Sequence, residues 1–110
     1  MLARILALTL LAAPAAAATG RASWYADNPG GRTGCGERFD PYAMTAASYA
    51  YPCNTRLRVV SRGRAVIVRV NDRGPNRSLH RLVDLSREAA GRLGMLHDGV
   101  RVVQVHRLSR

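Results

Sequence analysis

The chain has few aromatic residues, few acidic residues and only two cysteines. Trp, Tyr and Phe together make up 5% of its 110 residues, and charged residues 22%. A chain of this length excludes a multidomain enzyme. The charged fraction is too small for a typical disordered tail, and hydrophobic residues reach 47%. These values predict one small folded domain with a modest core.

No run of apolar residues reaches the roughly 20 positions that a membrane-spanning helix needs. The apolar stretch Ile5–Ala13 follows Arg4 and is interrupted by Pro14, and the Ala16–Ala18 triplet matches an A-x-A cleavage pattern. We therefore predict a secretory signal peptide over residues 1–18 and a mature domain over residues 19–110. Because no cysteine lies at the cleavage site, we expect no lipid anchor and no stable membrane anchor.

Lysine is absent, and all 17 basic residues are arginines, against only 7 acidic residues. The formal net charge is +10, and the mature domain keeps 16 arginines and 7 acidic residues, which gives +9. Such a surface attracts polyanions. The predicted export, the single Phe and the lack of a clustered basic helix argue against a nucleic-acid partner. An anionic cell wall or membrane surface accounts for the arginine excess equally well.

The two cysteines, Cys35 and Cys53, have no paired spacing and no nearby histidine, which excludes a zinc site of the usual kind. In an exported chain the oxidising compartment favours a disulfide between them. A loop of about 18 residues closed in this way would stabilise the fold by about 3 kcal/mol. The alternative is a pair of reduced thiols. We expect no metal and no organic cofactor.

Short strands separated by dense Gly and Pro residues predict a mainly β fold, as a small barrel or sandwich, and closure into a barrel would remove exposed strand edges. Alternating valines are the strongest indication of strands. Ser86 is a plausible N-cap and Gly94 a plausible end for one short helix. The predicted strands are Arg21–Ala26, Thr55–Val60, Ala65–Asn71, Leu82–Leu85 and Val100–His106, and the predicted helices are Arg87–Leu93 and a weakly helical Ala43–Ser48.

Five segments in order resemble the rare lipoprotein A (RlpA) family: Ala22–Tyr25, Gly36–Asp40, Met44–Ala47, Val68–Pro75 and Val83–Met95. The resemblance extends over nearly all of the predicted mature chain. It implies a six-stranded double-psi β-barrel with one or two short helices, the fold shared with expansins. It also implies an exported protein that acts on peptidoglycan glycan strands as a lytic transglycosylase.

A lytic transglycosylase needs a carboxyl group that is protonated near neutral pH, so that it can act first as an acid and then as a base. Taken alone, Glu37 in its Gly-rich loop is either a solvated charge or a functional residue; the match to the family's G-E-x-F-D motif implies the catalytic acid/base. Asp72 matches the N-D-R-G-P motif, which implies a second catalytic carboxylate. Its alternative is a structural contact with Arg73 or an Asx turn.

The remaining acidic residues have weaker indications. Asp40 precedes Pro41 and either closes a turn or contacts substrate. Asp84 lies among apolar residues and is either structural or, as in related barrels, faces the glycan. Asp27, Glu88 and Asp98 are predicted turn or helix-capping residues.

The chain departs from the family at Ser48, where the family usually has a histidine implicated in activity. A serine hydroxyl cannot transfer a proton near pH 7 as imidazole can. Ser48 is therefore predicted to contact substrate at most, and His80 is a weaker substitute. The departure leaves a second hypothesis open: a non-catalytic, expansin-like domain that binds or loosens the cell wall.

Trp24 and Tyr25 are adjacent on a predicted strand, so one ring should face the core and the other outward, where it can stack on a sugar. We assign Tyr25 to substrate binding. Tyr49 and Tyr51 either line a glycan groove or pack near the disulfide.

We expect a monomer in the periplasm, cell envelope or extracellular space. Because the chain ends directly after the barrel, we also expect the barrel to find its glycan substrate without a separate recognition module.

Overall fold

The computed structural model describes residues 17–75 and 77–109. These residues form six strands, one α-helix and one 3-10 turn, which confirms the expected mainly β fold with short helices. They are β1 (Ala18–Tyr25), β2 (Thr45–Ala47), β3 (Arg56–Ser61), β4 (Arg64–Asp72), β5 (Val83–Ser86), α1 (Arg87–Leu93), β6 (Val100–Ser109) and the 3-10 turn Arg77–Leu79. The predicted signal peptide lies outside the described residues except for its last two positions.

The six strands close into a barrel in the order β1-β5-β2-β4-β3-β6. The pairs β1–β5 and β2–β4 are parallel, and the other four pairs are antiparallel. Closure pairs every strand on both sides, so this small sheet has no exposed edge. Because β5 is antiparallel to β2, the parallel pair β1–β5 runs in the direction opposite to the parallel pair β2–β4.

Strands β3 and β4 form the hairpin that the alternating valines predict. Leu57 and Val59 on β3 and the valines at positions 66, 68 and 70 on β4 are buried, whereas most residues between them are exposed. The connection is the two-residue turn Arg62-Gly63, and both residues have positive φ, 51° and 78°. This combination matches a type I′ turn, whose twist suits antiparallel strands.

The prediction of a weakly helical segment at Ala43–Ser48 was wrong, because the structure has strand β2 at Thr45–Ala47. All three residues of β2 are buried. The strand lies between β4 and β5 and completes the barrel there. Its two alanines carry little strand preference of their own, so pairing on both sides overrides the local helical tendency.

Helix α1 has the bounds that the sequence predicts, and it packs on the barrel through Ala89, Ala90 and Leu93. The Ser86 hydroxyl accepts a hydrogen bond from the N–H of Ala89 at its start. Gly94 ends the helix with a φ of 77°, a left-handed conformation that favours glycine. In the described part of the chain, no helix has the length and apolar character needed to cross a membrane.

A buried arginine joins the end of α1 to the start of β6. Arg101 donates hydrogen bonds to the carbonyl oxygens of Leu93 and Gly94, at 3.1 and 2.8 Å. Its guanidinium group also pairs with the carboxylate of Asp98. Arg101 therefore satisfies carbonyl groups that the helix end leaves without intrahelical partners.

Candidate active site

One open groove, with a volume of about 770 Å³, is lined by the last residues of β1, β2 and β4 and by Asp84 of β5. Its walls are strand ends and the segment after β4. The lining residues are Tyr25, Asp27, Ala47, Tyr49, Asp72, Arg73, Gly74, Pro75, Arg77 and Asp84. Three carboxylates and two guanidinium groups therefore share one cleft. Within residues 17–75 and 77–109, no three His, Cys, Asp or Glu side chains are arranged so that they could hold a metal ion.

Asp72 and Asp84 reach the groove from opposite sides of β2. In the strand register, Ala47 pairs with Asp72 on β4 and with Asp84 on β5. Because neighbouring strands lie about 4.8 Å apart, the two aspartate backbones are about 10 Å apart across Ala47. Both side chains are half-buried and line the groove. The arrangement places two carboxyl groups on either side of one cleft.

The carboxylate of Asp72 is fixed by three donors. Its Oδ2 accepts a hydrogen bond from the Tyr25 hydroxyl at 2.8 Å, and its Oδ1 accepts from the N–H groups of Gly34 at 2.6 Å and Arg73 at 2.8 Å. All three contacts use Asp72 as an acceptor. Burial and the neighbouring Asp72 raise the pKa of Tyr25 far above its usual value, so the phenol stays a neutral donor.

Asp84 has the properties of a proton donor. Burial raises its pKa to about 6, and the charges of Asp27 and Asp72 act in the same direction. The hydrogen bond from the Ser23 hydroxyl, at 2.9 Å, and the charge of Arg81 oppose this rise. Half of the Asp84 carboxyl groups are therefore protonated near pH 6. A group with such a pKa can give and take a proton close to neutral pH.

Glu37 does not line this groove. Arg69 donates two hydrogen bonds to its carboxylate, at 2.5 and 2.9 Å, and Asn71 donates a third at 3.2 Å. The Arg69 contact is the main cause of a lowered pKa for Glu37. Arg69 and Asn71 are two positions apart on β4, and both side chains hold the carboxylate of Glu37. Glu37 therefore holds its loop against β4 as an ion-paired carboxylate.

Two other predicted substrate contacts lie away from the groove. Asp40 accepts a hydrogen bond from the N–H of Tyr42 at 2.9 Å, an Asx-type turn contact beside a separate cleft of about 470 Å³. Ser48 is fully buried; its hydroxyl donates to the Leu82 carbonyl oxygen at 2.9 Å and accepts from the N–H of Ala50 at 3.0 Å. Neither side chain is part of the groove lining.

The two neighbouring aromatic residues of β1 divide as expected. Trp24 packs against the core, while Tyr25 reaches the groove and stacks on Phe39 with ring centroids 4.5 Å apart. Tyr49 lines the groove, whereas Tyr51 packs against the core. His80 is exposed and is not part of the groove lining.

Three groove residues were not identified from the sequence as site residues. Asp27 was expected only to form a turn, and the arginines Arg73 and Arg77 were not singled out for the groove. Their placement depends on how the segments after β1 and β4 fold over the barrel. Arginines occur throughout the chain, and nothing in the local sequence distinguishes these two from the others.

The predicted disulfide is confirmed. Cys35 and Cys53 are bonded, with their Cα atoms 5.8 Å apart and a sequence separation of 18. The bond ties the loop that carries Gly34 and Glu37 to the segment before β3. Because the N–H of Gly34 donates to Asp72, the disulfide supports one wall of the groove.

Comparison with known proteins agrees with this architecture. A family model described as lytic transglycolase matches residues 17–105. The endolytic peptidoglycan transglycosylase RlpA of Neisseria meningitidis serogroup A is 43% identical over 93 residues, which cover 82% of this chain and 38% of that protein. The same-named protein of Pseudomonas aeruginosa (strain UCBPP-PA14) is 46% identical over 89 residues, which cover 78% of this chain and 26% of that protein. The chain thus spans between about a quarter and two fifths of the length of these relatives.

Solved structures share the barrel. A Streptomyces papain inhibitor superposes with a TM-score of 0.71 at 24% identity, covering 87% of this chain and 97% of that one. An expansin of Clavibacter michiganensis superposes with a TM-score of 0.69 at 25% identity, covering 84% of this chain and 50% of that one. These likenesses confirm the double-psi barrel. With the family match over residues 17–105, they lead to one conclusion: the chain belongs to the RlpA family of lytic transglycosylases.

Proposed function

We propose that the protein is an exported lytic transglycosylase that cleaves the bond between N-acetylmuramic acid and N-acetylglucosamine in peptidoglycan and leaves 1,6-anhydro ends. The observation that carries the proposal is the pair Asp72 and Asp84 on either side of Ala47 in one open groove. The names of the RlpA relatives, endolytic peptidoglycan transglycosylases, support the same reaction. They also support a place in the cell envelope.

Asp84 is the acid/base in this proposal. Its protonated carboxyl group donates a proton to the glycosidic oxygen as the bond from that oxygen to C1 of the muramic acid breaks. The resulting carboxylate then takes the proton of the 6-hydroxyl of the same sugar, whose oxygen forms the new bond to C1. The proton lost in the first step is thus recovered in the second, and no water is consumed. A pKa of about 6 suits both steps.

Asp72 and Tyr25 supply the fixed electrostatics of the groove. Three donors hold the Asp72 carboxylate in place, so its charge can stabilise the positive charge that develops at C1 in the transition state. Tyr25 presents a hydroxyl that remains neutral and orients this carboxylate. The contacts of Glu37 support a positioning role for that residue rather than the acid/base role expected from its motif.

Product analysis tests this function. The purified protein and an Asp84→Asn variant are incubated with peptidoglycan, and the soluble products are identified by mass spectrometry. We expect 1,6-anhydro products from the parent protein and at least a hundredfold lower rate with Asp84→Asn, since general acid–base catalysis contributes about 10²–10⁴-fold. A Glu88→Gln variant, which removes one charge from α1, serves as the control. Products with reducing ends instead of anhydro ends would contradict the proposal.

A second candidate function is expansin-like binding or loosening of the wall without cleavage. Two observations favour it: the superposition on the Clavibacter expansin, and the buried Ser48 at the position where the family usually has histidine. In that case the protein would sediment with peptidoglycan and release no soluble product. The same incubation separates the two functions.

A further inference from the structure

One wall of the groove is built from an arginine lying on a tyrosine ring. The guanidinium carbon of Arg77 is 4.6 Å from the centre of the Tyr49 ring, and both residues line the groove. Tyr49 is 44% exposed, and Arg77 is also exposed. A cation over an aromatic face is held by the ring's negative charge distribution, worth about 0.5–1 kcal/mol at an exposed site. The contact therefore restricts the position of the Arg77 charge.

On this wall, Arg77 closes one face of Tyr49 to stacking by a sugar ring. A sugar ring packs on an open aromatic face, but Arg77 occupies one face of Tyr49. The group that the wall presents to the groove is a planar guanidinium, whose N–H donors fit a carboxylate in a bidentate way. Within the described ranges, no carboxylate forms a salt bridge with Arg77.

The second arginine of the groove is already engaged. Arg73 donates hydrogen bonds to the carbonyl oxygens of Tyr51 at 2.6 Å and Asp72 at 3.3 Å, so its guanidinium group serves the fold. Three aspartates, at positions 27, 72 and 84, line the same groove. Without an available positive charge, an anionic ligand would be repelled from this cleft. Arg77 is the groove residue placed to offset that repulsion.

We propose that Arg77, held by Tyr49, binds a carboxylate of the glycan and makes the groove selective for acidic over neutral sugar polymers. The proposal rests on the proposed function, because it names the substrate chemistry of the same groove. Two sources of that carboxylate exist in peptidoglycan: the lactyl group of muramic acid in strands without peptide, and the acidic residues of the attached peptides. Arg77 is a specificity-determining residue here and has no part in proton transfer.

The test measures binding rather than cleavage. Dissociation constants are determined for soluble peptidoglycan strands before and after their carboxylates are converted to methylamides, with both peptide-free and peptide-bearing strands. The Asp84→Asn protein is used beside the parent so that turnover does not disturb the equilibrium. We expect Arg77→Gln to weaken binding of unmodified strands about threefold to tenfold, the usual range for one partly solvated charge-assisted contact. Binding of the methylamide strands should change by less than twofold.

Matched variants separate a specific contact from the general effect of charge. Arg58→Gln removes the same charge from β3, where Arg58 is exposed and does not line the groove, and should leave the preference for unmodified strands intact. Arg77→Lys keeps the charge without the planar fork and should give an intermediate affinity. Tyr49→Leu, which removes the ring beneath Arg77, should weaken the same preference.

The outcomes are distinct from those of the cleavage experiment. An effect of Arg77→Gln confined to peptide-free strands identifies the lactyl carboxylate as the ligand, and one confined to peptide-bearing strands identifies the peptide; both support the proposal. Equal weakening of unmodified and methylamide strands, or no weakening of either, overturns it. If the parent protein releases no anhydro product yet shows carboxylate-dependent binding through Arg77, the transglycosylase function fails and the binding proposal stands.

Discussion

Ser23 and Asp84 lie opposite each other in the parallel register of β1 and β5, and the Ser23 hydroxyl donates a 2.9 Å hydrogen bond to Oδ1 of Asp84. This contact favours the ionised carboxylate and opposes the larger effect of burial. As a consequence, the pKa of Asp84 lies near 6 instead of at a higher value. The pKa of the proposed acid/base is thus lowered by a residue that does not line the groove.

Removal of the Ser23 hydroxyl should move the pH dependence of cleavage. In a Ser23→Ala variant the carboxylate of Asp84 loses a stabilising donor, so the pKa of Asp84 rises further. Because the protonated form is the acid, the pH at which activity falls should move upward by about half a unit to one unit. Initial rates of anhydro product release between pH 4 and 9 measure this shift. A downward shift, or none, would mean that Asp84 is not the titrating group.

Glu37 should contribute to structure more than to chemistry. A Glu37→Gln variant keeps an acceptor for Arg69 but loses the charge, so we expect a loss of about 1 kcal/mol in unfolding free energy and less than a tenfold loss of activity. The acid/base role expected from its motif predicts instead a loss of activity of a hundredfold or more. Urea unfolding and initial rates, compared with Glu88→Gln, measure the two effects.

Asp84→Asn should stabilise the protein at neutral pH. The folded-state pKa of Asp84 is raised to about 6, so its ionisation is disfavoured in the folded protein relative to the unfolded chain. Below about pH 4 the carboxyl group is neutral in both states and no penalty exists. The penalty grows between about pH 4 and 6 and is complete above that range.

Because Asp84 is half-buried and partly screened by solvent, we expect a gain of about 1–2 kcal/mol for Asp84→Asn at pH 7.5 and no gain at pH 3.5. Urea unfolding at the two pH values measures the difference. A gain that is equal at both pH values would point to a packing effect, and a loss at pH 7.5 would contradict the raised pKa. The variant thus exchanges activity for stability.

Reduction of the disulfide should affect stability and activity together. The Cys35–Cys53 bond closes a loop with a separation of 18 residues, which predicts a loss of about 3 kcal/mol on removal. This bond holds the segment that contains Gly34, whose N–H donates a hydrogen bond to Asp72. Activity should therefore also decrease at temperatures where the protein remains folded. Thermal unfolding and initial rates of a Cys35→Ser/Cys53→Ser variant test this link. Unchanged activity in the folded variant would separate the disulfide from the site.

The sequence predicts the regular part of the fold well and the site less well. Alternating valines predict β3 and β4 because their spacing alone decides which side chains face the core, and Ser86 and Gly94 mark the ends of α1 through local hydrogen bonding. Strand β2 was missed because only pairing with β4 and β5 makes three small residues a strand.

Among the site residues, too, local motifs predict some positions and tertiary packing decides the others. The motifs identify Asp72 and Asp84, which strand register brings to one groove. The placement of Glu37 depends on which face of β4 presents Arg69 and Asn71, and that of Arg77 on the path of the segment after β4. These are tertiary relationships between segments distant in sequence, and neither composition nor local spacing contains them.

The most direct test of Asp84 as the acid/base is the pH dependence of the initial rate of 1,6-anhydro product release, measured for the parent protein and for Asp84→Asn. We predict that the parent rate falls as the pH rises through about 6, where Asp84 loses its proton, and that Asp84→Asn is at least a hundredfold slower at every pH. A parent rate that stays constant across pH 6, together with an active Asp84→Asn and an inactive Glu37→Gln, would contradict the assignment and return the acid/base role to Glu37.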